Sequence, residues 1–155
     1  MASIRLFVCF DSGHDEDLHA LFGRQCVAPG STLDMVDWSR DETPHARWED
    51  KLRERLAGVD AVVVLCSEGT GAAANVGREF GMVQETKTPY VLLWGRRSGM
   101  CTRPALAPAH DHFYAWTWGI LNEQVRQAIR QKQDPLGIER ATLLGLRSVK
   151  AAVKA

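Results

Sequence analysis

The sequence has no excess of charge of either sign, because 19 Lys and Arg side chains balance 19 Asp and Glu side chains in 155 residues. Generic binding to nucleic acid or to an anionic membrane surface requires a surplus of basic residues, so we expect neither as a partner. The charges are unevenly distributed along the chain. Residues 1–60 carry seven basic and twelve acidic side chains, and residues 61–155 carry twelve and seven. This polarity is compatible with head-to-tail association between copies, but charge asymmetry alone does not establish it.

Long apolar runs and closely spaced cysteine pairs are also missing. No apolar run approaches the ~18 residues that a membrane-spanning helix needs. The opening segment Met1–Arg5 has no signal-peptide anatomy, so we expect a cytoplasmic protein. C-x-x-C spacing is absent, which favours reduced thiols and no metal site. The cysteines are four in number: Cys9, Cys26, Cys66 and Cys101.

Apolar runs alternate regularly with helical patterns along the sequence. The length of the chain fits one domain with a sizeable core. Strands are predicted at 4–10, 32–37, 61–66, 90–94 and 112–116. Helices are predicted at 15–26, 43–58, 71–86 and 119–131. Alternating strands and helices predict right-handed βαβ units around a parallel sheet. We therefore expect an α/β fold, a flavodoxin-like, doubly wound sheet of five parallel strands.

The chain divides into an α/β domain at residues 1–131 and a C-terminal helical extension at residues 132–155. The pair Asp134-Pro135 breaks the preceding helix. Beyond it, apolar residues recur at helical spacing among basic ones, which predicts an amphipathic helix. Packing on the domain or on a second copy is the favoured interpretation, and a membrane-surface or partner helix stays open.

Ligand sites in such sheets lie beyond the carboxyl ends of the strands, where we expect one crevice. A phosphoacceptor receiver is excluded because the central strand ends in Leu65-Cys66-Ser67 without an acid. An FMN phosphate loop is excluded because four carboxylates lie in 11–17 and would repel a phosphate.

Two further motifs could indicate a ligand site, but a structural interpretation is available for each. The run 69–74 fits G-x-G-x-x-A, but it follows the third strand and adjoins Glu68, so we interpret it as a turn of small residues. Its helix N-terminus could still hold a phosphate or a ribose hydroxyl. His110 and His112 share one face of a predicted strand, but no third ligand is evident, and we expect no metal.

Glu79 is the candidate catalytic residue. At about 100° per residue it lies about 40° from Val83 and about 60° from Val76, which places it at the margin of the apolar stripe. Gly77 and Gly81 leave space beside it. A partly desolvated carboxylate can orient ribose hydroxyls and stabilise an oxocarbenium-like transition state, which is glycosidic-bond chemistry. A solvated helix glutamate is the alternative.

Across residues 4–130, the order and spacing of several motifs resemble the TIR and TIR-like superfamily, especially short bacterial TIR-like domains of Thoeris-type anti-phage defence. The first motif is an opening strand, Leu6–Ser12, followed by Asp15, and the second is a helix that begins with a tryptophan, Trp48–Leu56. The third is an apolar strand after an aspartate, Asp60–Leu65, and the fourth is Thr70 followed by a helical segment that carries the glutamate, Asn75–Phe80. The resemblance implies cleavage of the nicotinamide–ribose bond of NAD, as substrate rather than cofactor, with hydrolysis or cyclisation to an ADP-ribose signal. It also implies a homo-oligomer and a cognate defence effector as partner.

By position, the resemblance implies a set of site residues. Glu79 matches the glutamate of NAD-cleaving TIR enzymes. The ribose and nicotinamide side would be lined by three residues of the first loop, Phe10, Asp11 and Ser12. Residues 38–45 match the BB loop. There, Arg40 would meet a phosphate and Trp38 or Trp48 would stack on a base, with core packing the alternative for Trp48. Thr70 completes the set.

The chain departs from the TIR pattern in two places, which keeps other functions open. Val76 replaces the aromatic before the catalytic glutamate, and Ala73 or Ala74 replaces a nearby Ser. One alternative is a non-catalytic TIR-like interaction module. The other rests on a weaker resemblance of 67–81 to nucleoside 2-deoxyribosyltransferases, which would use Glu79 on a different ribose–base bond.

Overall fold

A computed structural model describes residues 3–36 and 47–133. Its five strands form one parallel sheet in the order β2-β1-β3-β4-β5. The strands are β1 Ile4–Phe10, β2 Leu33–Met35, β3 Ala61–Cys66, β4 Tyr90–Trp94 and β5 Phe113–Ala115. The helices are α1 Glu16–Cys26, α2 Trp48–Ala57, α3 Ala74–Glu85 and α4 Trp118–Gln133, with a 3₁₀ turn at Thr70–Ala72. This strand order is the flavodoxin-like one, and the predicted fold class is confirmed.

The sheet is covered on both faces, which explains why its central strands read as continuous apolar runs. All six residues of β3 are buried. One core layer packs α1 and α4 against the sheet, and the opposite layer packs α2 and α3 against it. Helix α3 contributes Val76, Phe80 and Val83 to the second layer, and none of the three is exposed to solvent. This packing fixes the rotation of α3 about its own axis and so decides where Glu79 points.

Two elements differ from the sequence-based expectation. The helix expected from residue 71 begins at Ala74, because a 3₁₀ turn precedes it and Ala73 has an extended backbone with ψ near 120°. The edge strands are shorter than expected: β2 spans Leu33–Met35 and β5 spans Phe113–Ala115. Among the residues described, each edge strand pairs on one side alone, so fewer hydrogen bonds extend it than extend a central strand.

Two predicted segments lie partly or wholly outside the described residues. Helix α4 continues past residue 131 as far as Gln133, the last residue that the structure describes. The helical extension beyond it, and the proposed start of α2 at Thr43-Pro44, lie outside the described residues. Within the described ranges, no helix is both long and apolar enough to cross a membrane.

All four cysteines are free thiols. Burial, aided by the nearby Asp34 charge, raises the pKa of the Cys26 thiol to about 11. Burial also raises the pKa of the Cys66 thiol. A thiol with a raised pKa carries little thiolate near neutral pH, so both residues act as small apolar side chains of the core.

Gly95, directly after β4, has no room for a side chain. A Cβ there would lie 2.7 Å from the Cys66 carbonyl oxygen and 2.8 Å from Leu18 Cδ1. In contrast, a Cβ on Gly77, inside α3, would meet nothing within 4 Å. We expect Gly95→Ala to destabilise the fold by about 1–3 kcal/mol through overpacking. We expect Gly77→Ala to stabilise it by about 0.5–1 kcal/mol, because alanine restricts the unfolded chain. Urea unfolding measures both, and changes of the same sign would contradict this account.

Candidate functional site

Glu79 faces the protein interior, as the helical spacing predicted. Only 5% of the residue is exposed to solvent. It lies on the side of α3 that carries the fully buried Val76, Phe80 and Val83, so the core packing of the helix holds it there. A carboxylate taken out of water keeps its charge only where other polar groups contact it. The surroundings of Glu79 therefore decide what it can do.

One of those groups is Asn75, one helical turn earlier on the same face of α3. Its side-chain Nδ2 donates a hydrogen bond to Glu79 Oε2 at 3.2 Å and another to the Phe10 carbonyl oxygen at 2.7 Å. Its Oδ1 accepts a hydrogen bond from the Ser12 backbone N–H at 3.3 Å. Sequence reasoning missed Asn75 as a functional residue, although its i,i+4 spacing from Glu79 was a signal that could have found it.

These contacts locate Glu79 relative to the sheet. Phe10 is the last residue of β1, and the register pairs it with Leu65 of β3. Glu79 is therefore joined through one side chain to the carboxyl end of β1. The chain order of the sheet reverses between β1 and β3, and this switch point is where ligands bind in doubly wound folds.

The loop after β1 is folded tightly on itself. The Asp11 carboxylate accepts a hydrogen bond from the Gly13 N–H at 3.0 Å and lies 2.8 Å from His14 Nδ1. It is only 5% exposed, whereas Ser12 is half-buried. The Phe10 side chain lies in the core and stacks on His19, with ring centroids 4.3 Å apart. The part of Phe10 that reaches Asn75 is thus its backbone carbonyl.

A second polar cluster, also missed from sequence, connects the loops that follow β1, β3 and β4. Asp15 is 1% exposed and accepts hydrogen bonds from Ser67 Oγ at 2.5 Å and from Arg96 Nη2 at 3.0 Å. Arg96 also donates to both carboxylate oxygens of Asp17, at 2.9 and 2.8 Å. These hydrogen bonds lower the pKa of Asp17 and raise the pKa of Arg96. One arginine thus compensates part of the negative charge that the sequence places in the first loop.

The predicted site residue Thr70 is fully buried, and its hydroxyl accepts a hydrogen bond from the Ser67 N–H at 2.8 Å. The neighbouring Gly69 and Gly71 lie where other loops pack closely against the backbone. A Cβ on Gly69 would lie 3.2 Å from Asp11 Oδ2, and one on Gly71 would lie 2.9 Å from the Arg103 carbonyl oxygen. The G-x-G pattern here is explained by two loops that pass close to its backbone.

The remaining predicted site residues are not brought to Glu79 by any described contact. Trp48 begins α2 and is half-buried against the core layer of α2 and α3. Trp38 and Arg40, with the rest of the expected BB loop at 38–45, lie outside the described residues. Their roles stay predictions.

Among the cavities lined by described residues, three are not bounded by Glu79. One of about 620 Å³ lies beside His110 and His112, one of about 600 Å³ lies beside Trp94 and Trp116, and one of about 490 Å³ lies beside Arg5. Contacts among the described residues define the candidate site: a buried carboxylate, an amide that holds it, and the backbone where β1 ends. Such a carboxylate can stabilise a positive charge that develops on a bound substrate. Within the described ranges, no group of three or more His, Cys, Asp or Glu could hold a metal ion.

The chain was compared with known proteins. No family model matches it, and no curated protein matches it. Among solved structures it is similar to a prokaryotic SEFIR domain, with 14% sequence identity and a TM-score of 0.49. The match covers 83% of this chain and 91% of that domain. A similarity this distant transfers no function to this chain.

Proposed function

We propose that this protein is a TIR-like enzyme that breaks the nicotinamide–ribose bond of NAD, with Glu79 as the essential carboxylate. The observation that carries the proposal is the burial of Glu79 at 5% exposure, combined with its link through Asn75 to the carboxyl end of β1. A buried carboxylate is costly unless it is compensated, so a chain that keeps one at the switch point of its sheet has a use for it.

The proposed reaction uses the negative charge of the Glu79 carboxylate, which stays on the protein throughout. The C–N bond between the ribose C1′ and the nicotinamide nitrogen breaks, and its electron pair leaves with nicotinamide, which becomes neutral. The ribose carries the positive charge as an oxocarbenium ion, which Glu79 stabilises electrostatically. Water then adds to C1′ and loses a proton to give ADP-ribose, or a nucleophilic nitrogen of the adenine closes a ring.

Further parts of the proposal rest on the motif resemblance described from sequence. We propose a role in anti-phage defence of the Thoeris type, a homo-oligomeric active form, and a cognate effector that responds to the ADP-ribose product. Arg96 offsets part of the negative charge of the loop after β1, which weakens the repulsion between this loop and the diphosphate of NAD. This supports binding of NAD with its ribose and nicotinamide end at the loop.

The experiment that tests the proposal follows the bond that is broken. Purified protein is incubated at high concentration with a crowding agent, in one arm with NAD and in another with a deoxynucleoside plus a free base. We expect free nicotinamide and ADP-ribose or its cyclic isomer in the first arm, resolved by chromatography. Base exchange in the second arm alone would select the deoxyribosyltransferase alternative. No product in either arm would reject the enzyme and leave the interaction module.

A further inference from the structure

The Asn75 amide makes three hydrogen bonds whose directions leave it a single orientation. Oδ1 accepts from the Ser12 N–H, and Nδ2 donates one hydrogen to the Phe10 carbonyl and the other to Glu79 Oε2. A backbone N–H can only donate, and a backbone carbonyl can only accept. Rotating the amide by 180° would oppose two donors at Ser12 and two acceptors at Phe10. The Nδ2 hydrogens are therefore aimed at β1 and at Glu79.

Because both anchoring groups belong to the backbone, the amide is tied to the sheet and not to another mobile side chain. Phe10 is in the ladder of β1 against β3, and its own side chain is buried in the core. The Glu79 side chain is thus connected to a central strand of the sheet. A catalytic group is effective when packing and supporting hydrogen bonds hold it close to its productive position.

From this arrangement we propose that Asn75 is the positioning residue for Glu79, holding its carboxylate over the carboxyl end of β1. The inference rests on the proposed function, since positioning has meaning only where Glu79 acts on a substrate. Asn75 acts through Glu79 and not on the substrate. Misplacing a reacting group by about 1 Å costs on the order of 100-fold in rate, so losing this support is expected to lower kcat by about 10- to 100-fold.

The residue is well suited to a clean test. The core packing of α3 depends on Val76, Phe80 and Val83, which an Asn75→Ala substitution leaves in place. The matched control is Asn122→Ala in α4. The Asn122 amide also donates to a backbone carbonyl, that of Trp118, at 2.8 Å, but it is on another helix in the opposite core layer.

The first experiment measures nicotinamide release from NAD. We expect Asn75→Ala to lower kcat by about 10- to 100-fold while KM stays within about threefold, and Asn122→Ala to change neither. In a Glu79→Gln background, Asn75→Ala should cause no further loss, because residues that act as a unit are not additive. An equal further loss in that background, or a rise in KM with kcat unchanged, would overturn the positioning role.

The second experiment is independent of activity. A double-mutant cycle combines Asn75→Ala with Glu79→Met, which keeps side-chain length but removes the carboxylate. If the hydrogen bond is formed in solution, the two single effects on the unfolding equilibrium constant should differ from additivity by about tenfold. Additive effects would show that the contact contributes nothing and would overturn the proposal. If the wild type releases no nicotinamide, the proposed function and the positioning role of Asn75 both fail, while the cycle still reports separately on the contact.

Discussion

Replacing Glu79 by glutamine is expected to lower nicotinamide release from NAD by about 100- to 1,000-fold, the loss typical of removing one preorganised electrostatic group from an active site. Glutamine has nearly the shape of glutamate and keeps a side-chain oxygen that can accept the hydrogen bond from Asn75 Nδ2. The substitution therefore removes the negative charge at a position that is 5% exposed while keeping an acceptor for the Asn75 amide. The measurement is steady-state nicotinamide release under the same assembly conditions for both proteins.

The matched control is Glu85→Gln, the same chemical change on the same helix. The Glu85 side chain is 60% exposed and pairs with Arg53 at the surface, and such surface pairs contribute little. We expect this variant to retain wild-type activity. Activity in an assembled Glu79→Gln sample equal to that of the wild type would remove Glu79 from the mechanism, and equal losses in both variants would point to an effect on α3 as a whole.

Truncating Phe80 to alanine is expected to have the largest effect on stability among the substitutions considered, about 3–5 kcal/mol of unfolding free energy. Phe80 is fully buried in the layer between the sheet and helices α2 and α3. Its ring packs edge-on against Tyr90 of β4, with ring centroids 4.9 Å apart. Because whole domains are stable by only about 5–15 kcal/mol, the loss is a large share of the total.

Chemical denaturation followed by circular dichroism measures this effect, with Met100→Ala as the control. Met100 is 70% exposed, so its truncation should change the unfolding free energy by no more than about 0.5 kcal/mol. A loss below about 1 kcal/mol for Phe80→Ala would mean that α3 is not anchored by this side chain, and the inward orientation of Glu79 would then need another cause.

Local periodicity was sufficient for much of the fold. The six-residue apolar run of β3, buried at every position, and the inward side of Glu79 both follow from the spacing of residues within one element. Spacing of this kind reflects the geometry of a strand or helix, which repeats regardless of what packs beside it. The ends of elements were less predictable, as at Ala73, where a preceding 3₁₀ turn and an extended backbone delay the start of the helix.

Only part of the candidate site could be predicted from the sequence. Glu79 was identified because its own helix marks it, whereas Asn75 was passed over because its backbone partner at Phe10 is 65 residues away in the chain. The same holds for Asp15, whose partners Ser67 and Arg96 are 52 and 81 residues away. Residue type and spacing determined which groups are available for chemistry. Only the register of the parallel strands and the paths of the loops decided which of those groups meet, because contacts between distant segments depend on every element that lies between them.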